Sequence, residues 1–366
     1  MEVGVRRLAA QWPVLVPLIA IGVLAATWGR SLPVAVVVLV DCCLAGAVLA
    51  AVQHAEVVAH RVGEPFGSLV LALAVTVIEV ALIVTLMAGG DGKGATLARD
   101  TVFAALMITC NGIVGLSLLV GTVKRRIAVF NAEGTGAALS TVATLAGLSL
   151  VLPTFTTSTP GPRFSPAQLV FAALAALVLY GLFVATQTVR HRTYFLPLTA
   201  DGEVIDAEEH IEPPTARATR VSLALLGVAL VAVVGLAKTT SPLIERGVAA
   251  AGLPQAVVGV VIALLVLLPE SIAAVRAARR DRIQTSLNLA LGSAMASIGL
   301  TIPAVAVASI WLSGPLVLGL GATHTVLLAL TVAVGTLTVV PGRATLLQSG
   351  VHLSLLTAYL VLAVSP

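Results

Sequence analysis

The stretch GEPFGSLVLALAVTVIEVALIVTL (Gly63–Leu86) decides the fold: it is an apolar run of bilayer-spanning length with a glutamate, Glu79, near its middle. Roughly 20 apolar residues cross the hydrocarbon core as a helix, and an ionisable group at the midplane is expensive there. A second stretch, VVGVVIALLVLLPESIAAV (Val257–Val275), repeats the arrangement with Glu270. A single such glutamate can be a protonated or arginine-paired structural residue. Two in matched positions of two half-chains point to a transport site.

Working outward, the chain of 366 residues is 58% hydrophobic and 10% charged. Soluble domains carry about a quarter charged residues, so the sequence predicts an all-α polytopic membrane protein whose main partner is the lipid bilayer. The net charge of +4 does not indicate nucleic acid, because the basic residues lie between apolar runs. Cys42, Cys43 and Cys110 fall inside such runs, as free thiols. Arg6 and Arg7 precede a hydrophobic run with no small-residue cleavage site after Trp28, so that run reads as a first helix and not a signal peptide. The sequence has no Walker motif, and no cofactor or enzymatic role is expected.

Eleven helices are predicted, at 13–28, 33–53, 66–88, 101–122, 137–153, 166–187, 219–237, 254–275, 283–311, 315–340 and 345–364. Starting from a cytoplasmic N-terminus, 15 of the 21 Lys and Arg fall on the inside, the asymmetry expected of cytoplasmic loops. The C-terminus then lies outside. The longest polar stretch, Arg190–Arg220, contains DGEVIDAEEHIEPP (Asp201–Pro214), read as a solvated acidic connector. It lacks the spaced ligands and central glycine of an EF-hand. The expected organisation is an N-terminal helix (1–30), a first five-helix repeat (31–188), the linker (189–218) and a second five-helix repeat (219–366).

An odd number of helices per half makes the halves cross in opposite senses, and internal similarity agrees. Glu79 matches Glu270 at an offset of 191 residues. RDTVFAALMITCNGIVGLSLLV (Arg99–Val120) matches RDRIQTSLNLALGSAMASIGLTI (Arg280–Ile302) at an offset of 181. Weak internal similarity with reversed orientation marks inverted-repeat transporters, which bind substrate near the midplane. Each half places small polar residues beside its glutamate: Thr76, Thr109, Asn111 and Gly112 in the first, Pro269, Ser286, Asn288, Gly292 and Ser293 in the second. Two carboxylates with amide, hydroxyl and loosened carbonyl oxygens form an all-oxygen site suited to a hard cation. The same carboxylates can hold protons, so the constellation is that of an antiporter. A passive channel would need a continuous polar lining.

Other polar residues have plainer readings. His54, Glu56 and His60 resemble a metal cluster, yet His54 and His60 are about 600° of helical turn apart and so lie on separate faces. Asp41, mid-helix in VVVLVDCCLAGAV, is either a pathway proton site or a residue capped by a neighbouring helix. His324 reads as a hydrogen-bonded packing residue.

Three segments, HAEVVAHRVGEPFGSLVLALAVTVIEVALI (His54–Ile83), NGIVGLSLLVG (Asn111–Gly121) and LPESIAAVRAARRDRIQTSLNLALGSAMASIGLTIP (Leu268–Pro303), resemble the bacterial calcium/proton antiporters of the cation/Ca²⁺ exchanger superfamily. The resemblance covers nearly the whole chain. It implies an additional first helix before two inverted five-helix repeats, a multi-pass protein of a prokaryotic plasma membrane, and coordination of the transported ion by Glu79 and Glu270. Asn111, Ser293, Gly292, Thr76 and Asn288 are the accompanying candidates for cation and proton binding. The Ala55-Glu56 pair and Gly63 match the family's cytoplasmic approach, making Glu56 and Glu64 candidates to attract cations at that mouth. The Gly-Asn pair common before the repeat glutamate is AVTVI (Ala74–Ile78) here, and Leu267-Leu268-Pro269 stands in the second repeat. Ca²⁺/H⁺ exchange is the expected activity, with Na⁺(K⁺)/H⁺ exchange the alternative.

Overall fold

The computed structural model describes residues 2–365, except 31, 64–65, 88–92, 200–202, 204–213, 255 and 312–313. Thirteen α-helices are present among them: α1 Glu2–Thr27, α2 Val34–Val62, α3 Phe66–Met87, α4 Leu97–Met107, α5 Val114–Arg125, α6 Ala132–Ala146, α7 Leu152–Phe155, α8 Pro166–Ala185, α9 Ala216–Ala250, α10 Ala256–Arg279, α11 Ile283–Ala308, α12 Ala322–Val339 and α13 Leu346–Val364. Two residue-pair strands, β1 (Ala128–Val129) and β2 (Arg343–Ala344), pair antiparallel. Among the described residues nine helical spans are long and apolar enough to cross a membrane, and two shorter apolar helices, Gln11–Thr27 and Leu73–Thr85, accompany them. The molecule is thus an all-α polytopic membrane protein with the expected eleven apolar helices.

Several boundaries differ from those expected, each for a local reason. Helix α2 runs nine residues past 53 and stops where Gly63 takes φ +75°, a left-handed value that glycine adopts without steric cost. Helix α9 begins at Ala216 because Thr215 caps it, its hydroxyl accepting from the Ala218 N–H at 3.2 Å. Residues 315–321, expected to be helical, are extended. Their backbone N–H groups go elsewhere: Val317 donates to Ala95, Gly319 to Pro162 and Leu320 to Leu150. Gly319 packs so tightly that a Cβ there would lie 2.5 Å from the Thr154 hydroxyl oxygen.

The predicted helix at 101–122 is a composite in which α4 and α5 are joined by a π-helical turn, Ile108–Ile113. Val114 N–H reaches back five residues to the Thr109 carbonyl. The helix predicted at 137–153 likewise carries a π-helical turn, Gly147–Val151, between α6 and α7. Such turns are rare and concentrate at functional sites.

By internal packing the chain divides into two compact units, each discontinuous in sequence. The first comprises Met1–Gly89 and His210–Gly252, hence α1, α2, α3 and α9. The second comprises Gly90–Glu209 and Leu253–Pro366, hence α4 to α8 and α10 to α13. In the first unit α2 packs against α1, α3 and α9 around Val48, Ala51, Ala229 and Val233. In the second, α4 is nearly wholly buried among α10, α11 and α13. Gly259 makes that possible: a Cβ there would stand 3.0 Å from the Asp100 carbonyl carbon, so α10 and α4 meet backbone to backbone.

Candidate functional site

In the first unit Glu79 sits on α3 with only 4% of its surface exposed, and Thr76, one turn earlier, is also buried. The spacing of three residues places both on one face of the helix. Glu56 is half-buried on α2. Glu64, the other candidate for the mouth, lies outside the described residues, as does most of the acidic linker at Asp201–Pro214.

The second unit holds Glu270, half-buried on α10 directly after Pro269. Proline has no N–H, so the Leu265 carbonyl loses its helical donor one turn from the acid. The Ser271 hydroxyl is turned to its own helix, donating to the Leu267 carbonyl at 2.7 Å. The π-helical turn carrying Asn111 packs against both α10 and α11. On α11, Gly292 and Ser293 are half-buried, and a Cβ at Gly292 would meet nothing within 4 Å. The second unit therefore assembles Glu270, Asn111, Gly292 and Ser293 on helices in mutual contact.

Several of the expected oxygen donors already serve the protein. Asn111 Nδ2 donates to Thr331 Oγ1 at 2.9 Å, and its Oδ1 lies 3.2 Å from His352 Nδ1. The other ring nitrogen, Nε2, lies 3.2 Å from Thr338 Oγ1. One assignment satisfies all four groups: His352 neutral, Nδ1–H donating to Asn111, Nε2 accepting from Thr338. This chain threads a cavity of about 20 Å³, room for one water, walled by Cys110, Leu139, Leu287, Thr331, Thr338 and His352. Asn288 is engaged at both ends of its amide, donating to the Phe195 carbonyl at 2.6 Å and accepting from Gln284 Nε2 at 2.8 Å. Gln284 in turn accepts from the Asn131 N–H at 2.7 Å. Thr109 caps its own helix at the Ala105 carbonyl, 2.8 Å away. Ser286 bridges three helices through the Ser117 hydroxyl and the Ala274 carbonyl.

His352, Thr331 and Thr338 were not singled out from the sequence. Their signal was a histidine and threonines on one face of apolar helices, but their partner Asn111 lies 241 residues before His352. His54 is a structural residue. Its Nε2 reaches the Pro13 carbonyl at 2.8 Å and its Nδ1 the Ser222 hydroxyl at 3.2 Å, joining α1, α2 and α9. His324 packs its ring against Phe103 and Tyr359, with centroids 4.8 and 6.1 Å apart.

A helical membrane protein with a glutamate inside an apolar helix of each half, one buried and one half-buried, and an irregular polar helix packed against the second, belongs to the class of secondary cation transporters. The family model described as "Sodium/calcium exchanger protein" matches residues 32–189 and 221–365, and the chain belongs to that family of cation exchangers. It is 47% identical over 362 residues to y4hA of Sinorhizobium fredii, a candidate ionic transporter, covering 97% of this chain and 96% of that one. It is 34% identical to the sodium-potassium/proton antiporter ChaA of Escherichia coli, covering 91% of each. Its fold matches the crystal structure of the H⁺/Ca²⁺ exchanger CAX with a TM-score of 0.71 at 17% identity, over 99% of this chain and 89% of that one. Native YfkE matches with a TM-score of 0.69 at 16% identity, over 97% and 99%.

Proposed function

We propose that this chain is a proton-coupled cation antiporter in which Glu79 and Glu270 alternately bind the cation and protons. The observation that carries this reading is the burial of Glu79 in the middle of an apolar helix, where a permanent charge is costly. A carboxyl that exchanges a cation for a proton is neutralised in both states. Two carboxylates match the charge of Ca²⁺, and Ca²⁺/H⁺ exchange across a prokaryotic plasma membrane, with the N-terminus inside, is the first reading. Nothing in it requires a cofactor; the transported ions are its substrates.

A specific observation favours the alternative, Na⁺(K⁺)/H⁺ exchange. Ca²⁺ takes about six to eight oxygens, and the amides of Asn111 and Asn288 are held by Thr331, His352, Phe195 and Gln284. The 34% identical relative from Escherichia coli is a sodium-potassium/proton antiporter. Proteoliposomes loaded with a pH-sensitive dye decide between them: an imposed pH gradient is discharged by the transported cation and not by the others. Absence of any cation-dependent discharge would refute antiport itself.

A further inference from the structure

The first unit contains a second acid, half-buried inside an apolar helix, that the exchange glutamates leave unexplained. Asp41 sits on α2, inside an apolar span, and Thr240 on α9 faces it. Thr240 is fully buried. Asp41 Oδ1 and Thr240 Oγ1 are both out of solvent, and apart from their approach to each other neither has a hydrogen-bond partner among the described residues. An acid and a hydroxyl with nothing but each other to satisfy them are unusual inside an apolar span, because buried polar groups are nearly always satisfied. The neighbouring Thr239 shows the ordinary alternative: its hydroxyl donates to the Gly235 carbonyl one turn back, at 2.9 Å.

We propose that Asp41 and Thr240 form a proton-binding site distinct from the repeat glutamates, occupied in one state of the transport cycle and empty in another. The proposal rests on the antiport reading. A proton is the ligand that fits: one carboxyl and one hydroxyl fall far short of the roughly six oxygens a hard cation demands. In a low-dielectric span a carboxylate supported by a single hydroxyl is costly, and protonation removes that charge. The step is a proton transfer from hydronium, in which an O–H bond forms at Asp41, one breaks on hydronium and water is released; no redox change occurs. Helices α2 and α3 are consecutive and packed together, so Asp41 lies about eight helical residues, roughly 12 Å, from the level of Glu79 toward the Val34 end. Charged and titratable groups on the packed elements are few. Helix α1 has none from Gln11 to Thr27, and α3 contributes Glu79. Helix α9 carries Lys238, whose Nζ lies 5.5 Å over the Trp28 ring, with Glu245 and Arg246 further along it and Arg217 and Arg220 at its start. Cys42 and Cys43 follow Asp41 on its own helix.

Infrared difference spectroscopy of the lipid-reconstituted chain, titrated with pH, tests the site. The expected result is a neutral-carboxyl C=O band that moves on ¹³C-aspartate labelling and is lost in Asp41→Asn. If that variant fails to fold, Asp41→Glu serves, since it keeps an acid but removes the band from the labelled set. Thr240→Val should change the pH at which the band titrates, and Thr239→Val should not. A difference spectrum with no labelled neutral-carboxyl band, or one unchanged in the Asp41 variants, overturns the proposal, as does an identical titration in Thr240→Val. Cation-driven proton flux of the wild type is measured in the same liposomes. If it is absent while the band is present, antiport fails and the proton site stands.

Discussion

Helix α1 carries Pro13 and Pro17, four residues apart. In a regular helix the carbonyl of residue 13 accepts from the N–H of residue 17, and proline has none. His54 Nε2 fills that gap from α2 at 2.8 Å, with Ser222 on its other nitrogen. Replacing His54 with leucine keeps the volume roughly constant and removes both bonds. Ser222 can turn its hydroxyl to a carbonyl of its own helix, but Pro13 has no substitute donor in the protein, so the cost is that of one unsatisfied, partly buried carbonyl, about 1–2 kcal/mol. Pro17→Ala restores the missing N–H. The double variant His54→Leu/Pro17→Ala should therefore recover most of the loss, with a coupling energy of about 1–2 kcal/mol. Thermal unfolding of the four proteins in one detergent, followed by tryptophan fluorescence, measures the cycle. Equal effects of Pro17→Ala in the wild-type and His54→Leu backgrounds would refute the reasoning, because His54 would then not be replacing the proline's donor.

Glu79→Gln and Glu270→Gln should each abolish pH-gradient-driven cation uptake in inverted vesicles while inserting normally, since a neutral amide is cheaper in the membrane than a carboxylate; wild-type exchange by either one would sink the shared-carboxylate mechanism. His352→Phe and Asn111→Leu should each destabilise by about 1–3 kcal/mol by stranding the partner's polar atoms. Their combination should cost about 1 kcal/mol less than the sum, and strict additivity in detergent unfolding would deny the network. Asn288→Ala should free the Phe195 carbonyl at a cost of about 1–2 kcal/mol and speed tryptic cleavage at Arg190 and Arg192. Weakened cation affinity with unchanged proteolysis would instead make Asn288 an ion ligand.

The sequence announced the parts of this structure that depend on one helix at a time. Eleven apolar runs, the buried position of Glu79 and the polar interruption around Asn111 follow from composition and spacing alone. What escaped depends on long-range pairing. Asn111, Asn288 and Ser286 looked like ion ligands because polar residues in apolar helices suggest function. Only the fold reveals that Thr331, Phe195 and Ser117 satisfy them from distant parts of the chain. The division into two units was also illegible: α9 joins α1, α2 and α3 across more than 120 residues through apolar faces that would suit many partners.

The π-helical turn at Ile108–Ile113 also changes how the two halves should be compared. A turn closed from Val114 N–H to the Thr109 carbonyl contains one residue more than an α-helical turn, so the side chains after it are rotated by about 100°. Helix α11 is continuous through the matching region. If the two stretches correspond at an offset of 181 up to Asn111 and Gly292, the offset slips to 180 beyond the turn. With that slip, Ser117 corresponds to Ser297, and both are buried serines. Without it, Ser117 would be matched to Ile298. On that correspondence the first half carries one residue more than the second, and an alignment of the two that allows no gap there pairs the wrong faces from that point on.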